Sequence, residues 1–228
     1  MRGAIVFDLD GTLIDSAPDL QVALNHVLRA EGADPVTLAE TRRFIGHGIP
    51  SLVQQARLAR GLPVASEPGM VQAMFRHYLA SPAALTRPYP GAVAALESLA
   101  RAGHALGLCT NKALAPTLEI LQALDLRRHF AVVIGGDSMA AKKPDPAPLQ
   151  MAFAALGPPL IYVGDSEVDA ETAVNAGVPF ALHTEGYRKA PVAALPHCMA
   201  FADFAALPGL IAALPGRDQC GADGRPRP

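Results

Sequence analysis

Apolar positions fall into three regimes along this chain. Residues 3–7 form a short apolar run with β-branched residues, which predicts a buried strand. Between residues 17 and 85 apolar residues recur at helical spacing with no clear strand. Leu20, Ala23, Leu24, Val27 and Leu28 mark the first helix, which Ser16-Ala17-Pro18-Asp19 opens with a capping hydroxyl and an early Pro, and which Gly32 closes. Thr37 and Glu40 predict a capping box for a second helix through about Phe44. The turn Ile45-Gly46-His47-Gly48 breaks it, and residues 51–60 and 67–80 predict two further helices. From Ala92 onward helices and strands alternate. The predicted helices are 92–102, 114–124, 146–156, 168–176 and 203–214; the predicted strands are 104–109, 131–134, 160–163 and 178–182.

This alternation argues an α/β fold, with a doubly wound, parallel, five-stranded sheet of Rossmann-like form covered on both faces. A helical stretch of roughly 70 residues is too long for a loop inside a compact domain. Residues 17–85 are therefore expected to be an inserted α-helical cap whose two connections act as a hinge. Residues 1–16 and 86–214 make up the core. The Gly-, Pro- and charge-rich tail, 215–228, is expected to be disordered.

Composition narrows the function classes. The chain has 228 residues, 50% of them hydrophobic, and a formal net charge of −2, which suits a sizeable core and gives no electrostatic footprint for nucleic acid. Cys109, Cys198 and Cys220 form no C-x-x-C pair, so neither a zinc motif nor a disulfide scaffold is suggested. No apolar run reaches the ~18 residues of a membrane span, and the first apolar run enters Asp8 too soon for a signal peptide. The expectation is a soluble, cytoplasmic protein, monomer or homodimer, whose partner is a small molecule.

The candidate chemistry lies where predicted strands end, because ligands of such sheets bind outside the carboxyl ends of the strands. The first strand runs into Asp8 and Asp10. Two carboxylates about 4 Å apart repel by about 4 kcal/mol at an effective dielectric of about 20, so a bound cation is the simplest compensation. Hard oxygen ligands suit magnesium. Gly11 allows a sharp turn, and Thr12 brings a hydroxyl and backbone donors where an anion could sit. The other strand ends carry Thr110 and Asn111, then residues 135–143, then 165–169.

The run D-x-D-G-T-L-x-D-S at residues 8–16 resembles the first motif of the haloacid dehalogenase-like phosphohydrolases. Thr110-Asn111, Lys143-Pro144 and Gly164-Asp165-Ser166-x-x-Asp169 resemble the second, third and fourth motifs in the same order. The resemblance implies that Asp8 is the nucleophile of an aspartyl-phosphate mechanism and Asp10 the general acid/base. It implies that Thr110 and Asn111, with Gly11 and Thr12, bind phosphate, and that Lys143 neutralises nucleophile and phosphoryl group. Magnesium would be held by Asp8, the Asp10 backbone carbonyl and Asp165, with Asp169 orienting the lysine or a metal-bound water and Ser166 beside it. Ser166 and Asp169 could also simply cap the next helix. The superfamily's dehalogenases lack the second Asp of the first motif, so Asp10 favours phosphoryl chemistry.

Substrate choice is expected from the cap. The segment Arg42-Arg43-Phe44-Ile45-Gly46-His47-Gly48 resembles the R-x-x-I-G-x-G cap segment of phosphoglycolate phosphatases, and Tyr89-Pro90-Gly91 and Glu185-Gly186-Tyr187 are also similar to that subfamily. This implies closure of Gly46, His47 and Gly48 over a small phosphate ester, 2-phosphoglycolate, with Arg42 or His47 adding charge or a hydrogen bond. A sugar-phosphate or nucleotide phosphatase of broad specificity is one alternative. A β-phosphoglucomutase-like phosphosugar mutase is another, although Ile49 stands where those relatives carry a cap arginine. A non-catalytic binding protein is a third, against which Asp8, Asp10, Lys143 and Asp165 all count.

Overall fold

The computed structural model describes residues 3–81 and 83–214. The expected disordered tail lies outside these residues. The first strand, β1 (Ala4–Phe7), is buried along its whole length. Ile5 and Phe7 pack into one apolar cluster and Ala4 and Val6 into another, so both faces of the sheet are covered. A two-residue strand, β2 (Ile14–Asp15), precedes four helices: α1 (Ala17–Ala30), α2 (Leu38–Phe44), α3 (Ile49–Ala59) and α4 (Glu67–Ala80). A second two-residue strand, β3 (Arg87–Pro88), then pairs antiparallel with β2, so this small ribbon ties together the two connections of the helical insertion. The remaining elements alternate: α5 (Ala92–Arg101), β4 (Ala105–Cys109), α6 (Leu114–Ala123), β5 (Val132–Ile134), α7 (Ala147–Leu156), β6 (Pro159–Gly164), α8 (Glu167–Ala176), β7 (Phe180–His183), β8 (Met199–Phe201) and α9 (Leu207–Ala212).

The main sheet is parallel, with order β5-β4-β1-β6-β7-β8. β1 therefore sits between the strand ending at Cys109 and the strand carrying Val163 and Gly164, as the resemblance implied. The chain winds outward from β1 to β5, then returns to build β6, β7 and β8 on the other side. This reversal opens a crevice at the carboxyl ends of β1, β4 and β6. The apolar cluster on the Phe7 face continues into the insertion through Leu20, Leu24, Leu28, Met70 and Met74, which seats the cap helices against the core.

The main sheet has six strands among the described residues, where five were expected. The sixth, β8, has three residues, two of them only partly buried, so it shows neither the length nor the alternation that reveals a strand in sequence. The expected helix 203–214 is a 3-10 turn, Phe204–Ala206, followed by α9. Pro208 lies at the start of α9, where its missing N–H costs nothing. The Thr37–Glu40 capping box is present, with Glu40 N–H donating to Thr37 Oγ1 at 3.1 Å and Thr37 N–H donating to Glu40 Oε2 at 2.7 Å. Ser16, however, does not cap α1. Its hydroxyl donates to Asp10 Oδ1, and the N–H groups of Ser16 and Ala17 donate instead to the Tyr187 phenol oxygen at 2.8 and 3.1 Å.

Asp19, in the first turn of α1, holds the far connection of the insertion. Its buried carboxylate accepts from the N–H of Leu85 (3.0 Å), the N–H of Thr86 (2.7 Å) and the hydroxyl of Thr86 (2.6 Å). Asp19→Ala strands donors of the fully buried Thr86. Urea unfolding should show a loss of about 3 kcal/mol. A loss under about 1 kcal/mol would show that the connection is not held this way.

Candidate active site

The ends of β1, β4 and β6, with the loop before α7, deliver four carboxylates and two ammonium groups to one place. Asp8 follows β1 directly and is buried, with its backbone N–H donating to Val163 O at 2.8 Å. Lys143, from the loop before α7, is also buried; its Nζ donates to Asp8 Oδ1 (2.7 Å), Asp169 Oδ1 (2.7 Å) and the Tyr162 hydroxyl (2.9 Å). Asp169, in the first turn of α8, completes a capping box with Ser166, as the alternative reading of those two residues held. Its Oδ1 accepts from Lys143 and Tyr162, and its Oδ2 from the Ser166 hydroxyl and N–H. Asp165, just after β6, is 1% exposed and accepts from the Thr12 hydroxyl (2.9 Å) and the Tyr187 N–H (2.6 Å). Gly11, with φ of +87°, and Gly186 both approach the Asp165 carboxylate so closely that a Cβ on either would collide with it.

Asp10 has its own cation. Lys112 Nζ donates to Asp10 Oδ2 at 2.9 Å and Oδ1 at 3.1 Å, and Lys112 is itself buried. The sequence reading did not single out Lys112. It follows Thr110-Asn111 directly, and a lysine two residues past a strand carries no signal that it turns inward. Tyr162 and Tyr187 were also missed as site residues, because a phenol in a strand or late loop reads as core packing.

The electrostatics follow from burial. Burial raises Asp8 from 3.8 to about 7; Lys143 opposes the rise, and Asp169 and Asp10 add to it. Burial, with Asp169 and Asp8 close by, pushes Asp165 well up. Burial would also raise Asp169, but the Lys143 charge and the bonds from Lys143, Ser166 and Tyr162 outweigh it and hold Asp169 down. Burial would lower both lysines, yet Asp169 and Asp8 raise Lys143, and Asp10 raises Lys112, so both stay charged. With all four carboxylates ionised, they exceed the two ammonium groups by two negative charges. Oxygen atoms of Asp8, Asp165 and Asp169 lie within 4.8 Å of one another and can hold a metal ion. The lone pairs of Asp169 are largely committed to Lys143, Tyr162 and Ser166, which leaves Asp8 and Asp165 as the better donors.

A cavity of about 180 Å³ opens above these groups. Its core side is lined by Asp8, Asp10, Thr110, Asn111, Lys112, Lys142, Lys143, Asp165 and Ser166. Its cap side is lined by Leu20, Ile45, Gly46, Gly48, Ile49, Leu52 and Phe75, among others. Asn111 Nδ2 donates to Gly46 O and Lys143 O, both at 3.0 Å, so its amide ties the cap turn to the core rather than standing free for phosphate.

Other sequence-predicted residues lie elsewhere or act differently. The Gly11 N–H donates to Ile14 O and the Thr12 N–H to Leu9 O, and the Thr12 hydroxyl is spent on Asp165, so neither residue offers a donor to phosphate. In this turn it is Leu9 and Asp10 whose N–H groups lack a protein acceptor among the described residues. Arg42 is exposed and pairs with Asp15 at 2.9 Å, outside the cavity lining. His47 is exposed and likewise does not line the cavity.

Comparison with known proteins points the same way. The haloacid dehalogenase-like hydrolase family profile matches residues 5–183. A phosphoglycolate phosphatase of Cereibacter sphaeroides is 51% identical over 210 residues, covering 91% of this chain and 96% of that protein. A phosphoglycolate phosphatase of Rhodospirillum rubrum is 40% identical over 232 residues, covering 97% and 96%. The crystal structure of a predicted phosphoglycolate phosphatase from Haemophilus somnus superposes with a TM-score of 0.86 at 29% identity, covering 92% of this chain and 97% of that one.

The raised Asp8 carries a pH-dependent expectation. A carboxyl whose folded pKa lies above its unfolded value contributes stability at low pH that is lost as pH rises from 3.8 through about 7. A divalent cation on Asp8 competes with that proton. Adding magnesium to chelator-treated protein should therefore raise Tm more at about pH 8 than at about pH 5.5. An equal shift at both pH values, or none, would contradict this electrostatic account.

Proposed function

The chain belongs to the haloacid dehalogenase-like hydrolase family, and on that premise we propose that it is a magnesium-dependent phosphomonoesterase hydrolysing 2-phosphoglycolate to glycolate and phosphate. The observation that carries the reaction type is the buried Asp8, bonded to Lys143 and close to Asp165, lining the cavity between core and cap. The substrate is supported by the likeness to phosphoglycolate phosphatases across nearly the whole chain. The cavity of about 180 Å³ supports it too. Pockets for drug-sized ligands run from about 300 Å³ upward, so this volume suits a small ester better than a nucleotide. Ile49 presents an apolar side chain to the cavity, which weighs against the mutase alternative.

In this reading Asp8 attacks phosphorus, and the bond from phosphorus to the ester oxygen breaks. Asp10, which this step requires in its protonated form, gives its proton to the departing glycolate oxygen. A water then attacks phosphorus, Asp10 takes the water's proton, and phosphate leaves Asp8 regenerated. Lys143 keeps the Asp8 carboxylate oriented and offsets charge on the phosphoryl oxygens, while Asp169 and Tyr162 fix Lys143. In this reading the Asp10 N–H, which has no protein acceptor among the described residues, and the cavity-lining Thr110 hydroxyl meet those oxygens. Magnesium held by Asp8, Asp165 and the Asp10 backbone carbonyl supplies, when bound, the charge neutralisation that the two surplus carboxylates call for. The apolar cap excludes bulk water, which strengthens every one of these interactions.

Two measurements test this. Asp8→Asn should abolish phosphate release while far-ultraviolet circular dichroism stays as in the parent; substantial residual hydrolysis would sink the nucleophile assignment. In a panel of phosphate esters, with magnesium or with a chelator, kcat/KM for 2-phosphoglycolate should exceed that for sugar phosphates and nucleotides by about tenfold or more and should vanish with the chelator. Comparable values across the panel would retain the chemistry and discard the substrate.

A further inference from the structure

The cap was expected to supply the charge that selects the substrate, but its lining of the cavity supplies none. Leu20, Ile49, Leu52 and Phe75 present apolar side chains there, Arg42 is held by Asp15 outside it, and His47 does not line it. An anionic group on the leaving side of a phosphate ester would therefore have to be met from the core. Three cations line the cavity among the described residues: Lys112, Lys142 and Lys143. The donors of Lys143 are taken by Asp8, Asp169 and Tyr162. Lys142 is exposed.

Lys112 differs from both. It is buried, and among the described residues its one carboxylate partner is Asp10. Tyr78, from α4 of the cap, stands beside it with its ring centroid 4.9 Å from Nζ. The buried Tyr78 hydroxyl interacts with the Lys112 ammonium and helps to keep it charged. A buried cation that lines the cavity and has a single carboxylate partner is a place for a second anion.

We propose that Lys112 is the specificity residue that receives the carboxylate of an α-phosphooxy carboxylate substrate. This rests on the phosphatase reading above and deepens it. In that reading Asp10 lies within hydrogen-bond reach, about 3 Å, of the ester oxygen it protonates. Lys112 Nζ is 2.9 Å from Asp10 Oδ2. In 2-phosphoglycolate the carboxylate carbon is two bonds beyond that same ester oxygen. The group that comes next after the oxygen facing Asp10 is thus the carboxylate, and the cation next to Asp10 is Lys112. An ester of equal length without the carboxylate leaves Lys112 with Asp10 as its only anionic partner. Beside the apolar cap lining the added ion pair is screened less than in bulk water.

The test compares two esters in wild-type protein, Lys112→Met and Lys112→Gln, all with magnesium: 2-phosphoglycolate, and ethyl phosphate, which has the same chain length and no carboxylate. Wild-type kcat/KM should favour 2-phosphoglycolate strongly. In both variants that preference should fall by about 30-fold, as loss of one charged hydrogen bond implies. Any loss shared by the two esters reports the Lys112–Asp10 pairing and cancels in the ratio. Should Lys112→Met fail to fold, Lys112→Gln removes the charge while keeping a donor for Asp10. A preference that survives in the variants, with both esters slowed by the same factor, would overturn the proposal and leave Lys112 a positioning residue for Asp10. Absence of any preference in wild-type protein would instead overturn the substrate reading on which the proposal rests.

Discussion

The Lys143 ammonium is the constraint on which this structure depends. It bonds Asp8 from the end of β1 and Asp169 from α8, together with the Tyr162 hydroxyl on β6. These groups are far apart in sequence, and only the order β4-β1-β6 brings them together. Burying such a cluster is not a source of stability in itself, because desolvation can exceed the Coulombic gain. Its value lies in charge balance. Asp169 is held ionised and committed to the lysine, and Asp8 is left only partly compensated. Among the described residues no cation is bonded to Asp165; the Thr12 hydroxyl and the Tyr187 N–H donate to it. The sheet thus builds an excess negative charge at its carboxyl edge, and a divalent cation with a phosphoryl group is what such an edge can accept.

The cap works on the same electrostatics from the other side. Its apolar lining excludes water and so sharpens the fields made below it. It is held in place by polar contacts at its margins: Asn111 to Gly46 across the cavity and Asp19 to the residues leading into β3. The antiparallel β2–β3 ribbon joins its two connections. Catalytic polarity is concentrated in the core, and the cap contributes closure and shape.

Much of this was legible in the sequence because it is local. The Gly3–Phe7 run, the later alternation and the Thr37–Glu40 capping box depend on residues close together, and the structure shows each of them. Four polar or charged segments at strand ends pointed to one crevice, and Asp8, Asp10, Thr110, Lys143 and Asp165 all line it. What escaped was decided by distant partners. Ser16 sits where a capping residue belongs, yet Asp10 and Tyr187 take its side chain and backbone. Thr12 sits where an anion donor was expected, yet Asp165, 153 positions away, takes its hydroxyl. Lys112, Tyr162 and Tyr187 have no spacing signature, since each acts through groups brought near by the sheet order. β8 escaped because three residues at a sheet edge carry no period.

The central claim is that the buried Asp8 carries the phosphoryl group. Rapid acid quench of a single turnover of radiolabelled 2-phosphoglycolate, with magnesium, followed by peptide mapping, tests it most directly. The account predicts protein-bound phosphate that rises and decays within the turnover and maps to the peptide containing Asp8. Turnover with no protein-bound phosphate, or label on a peptide without Asp8, would contradict it.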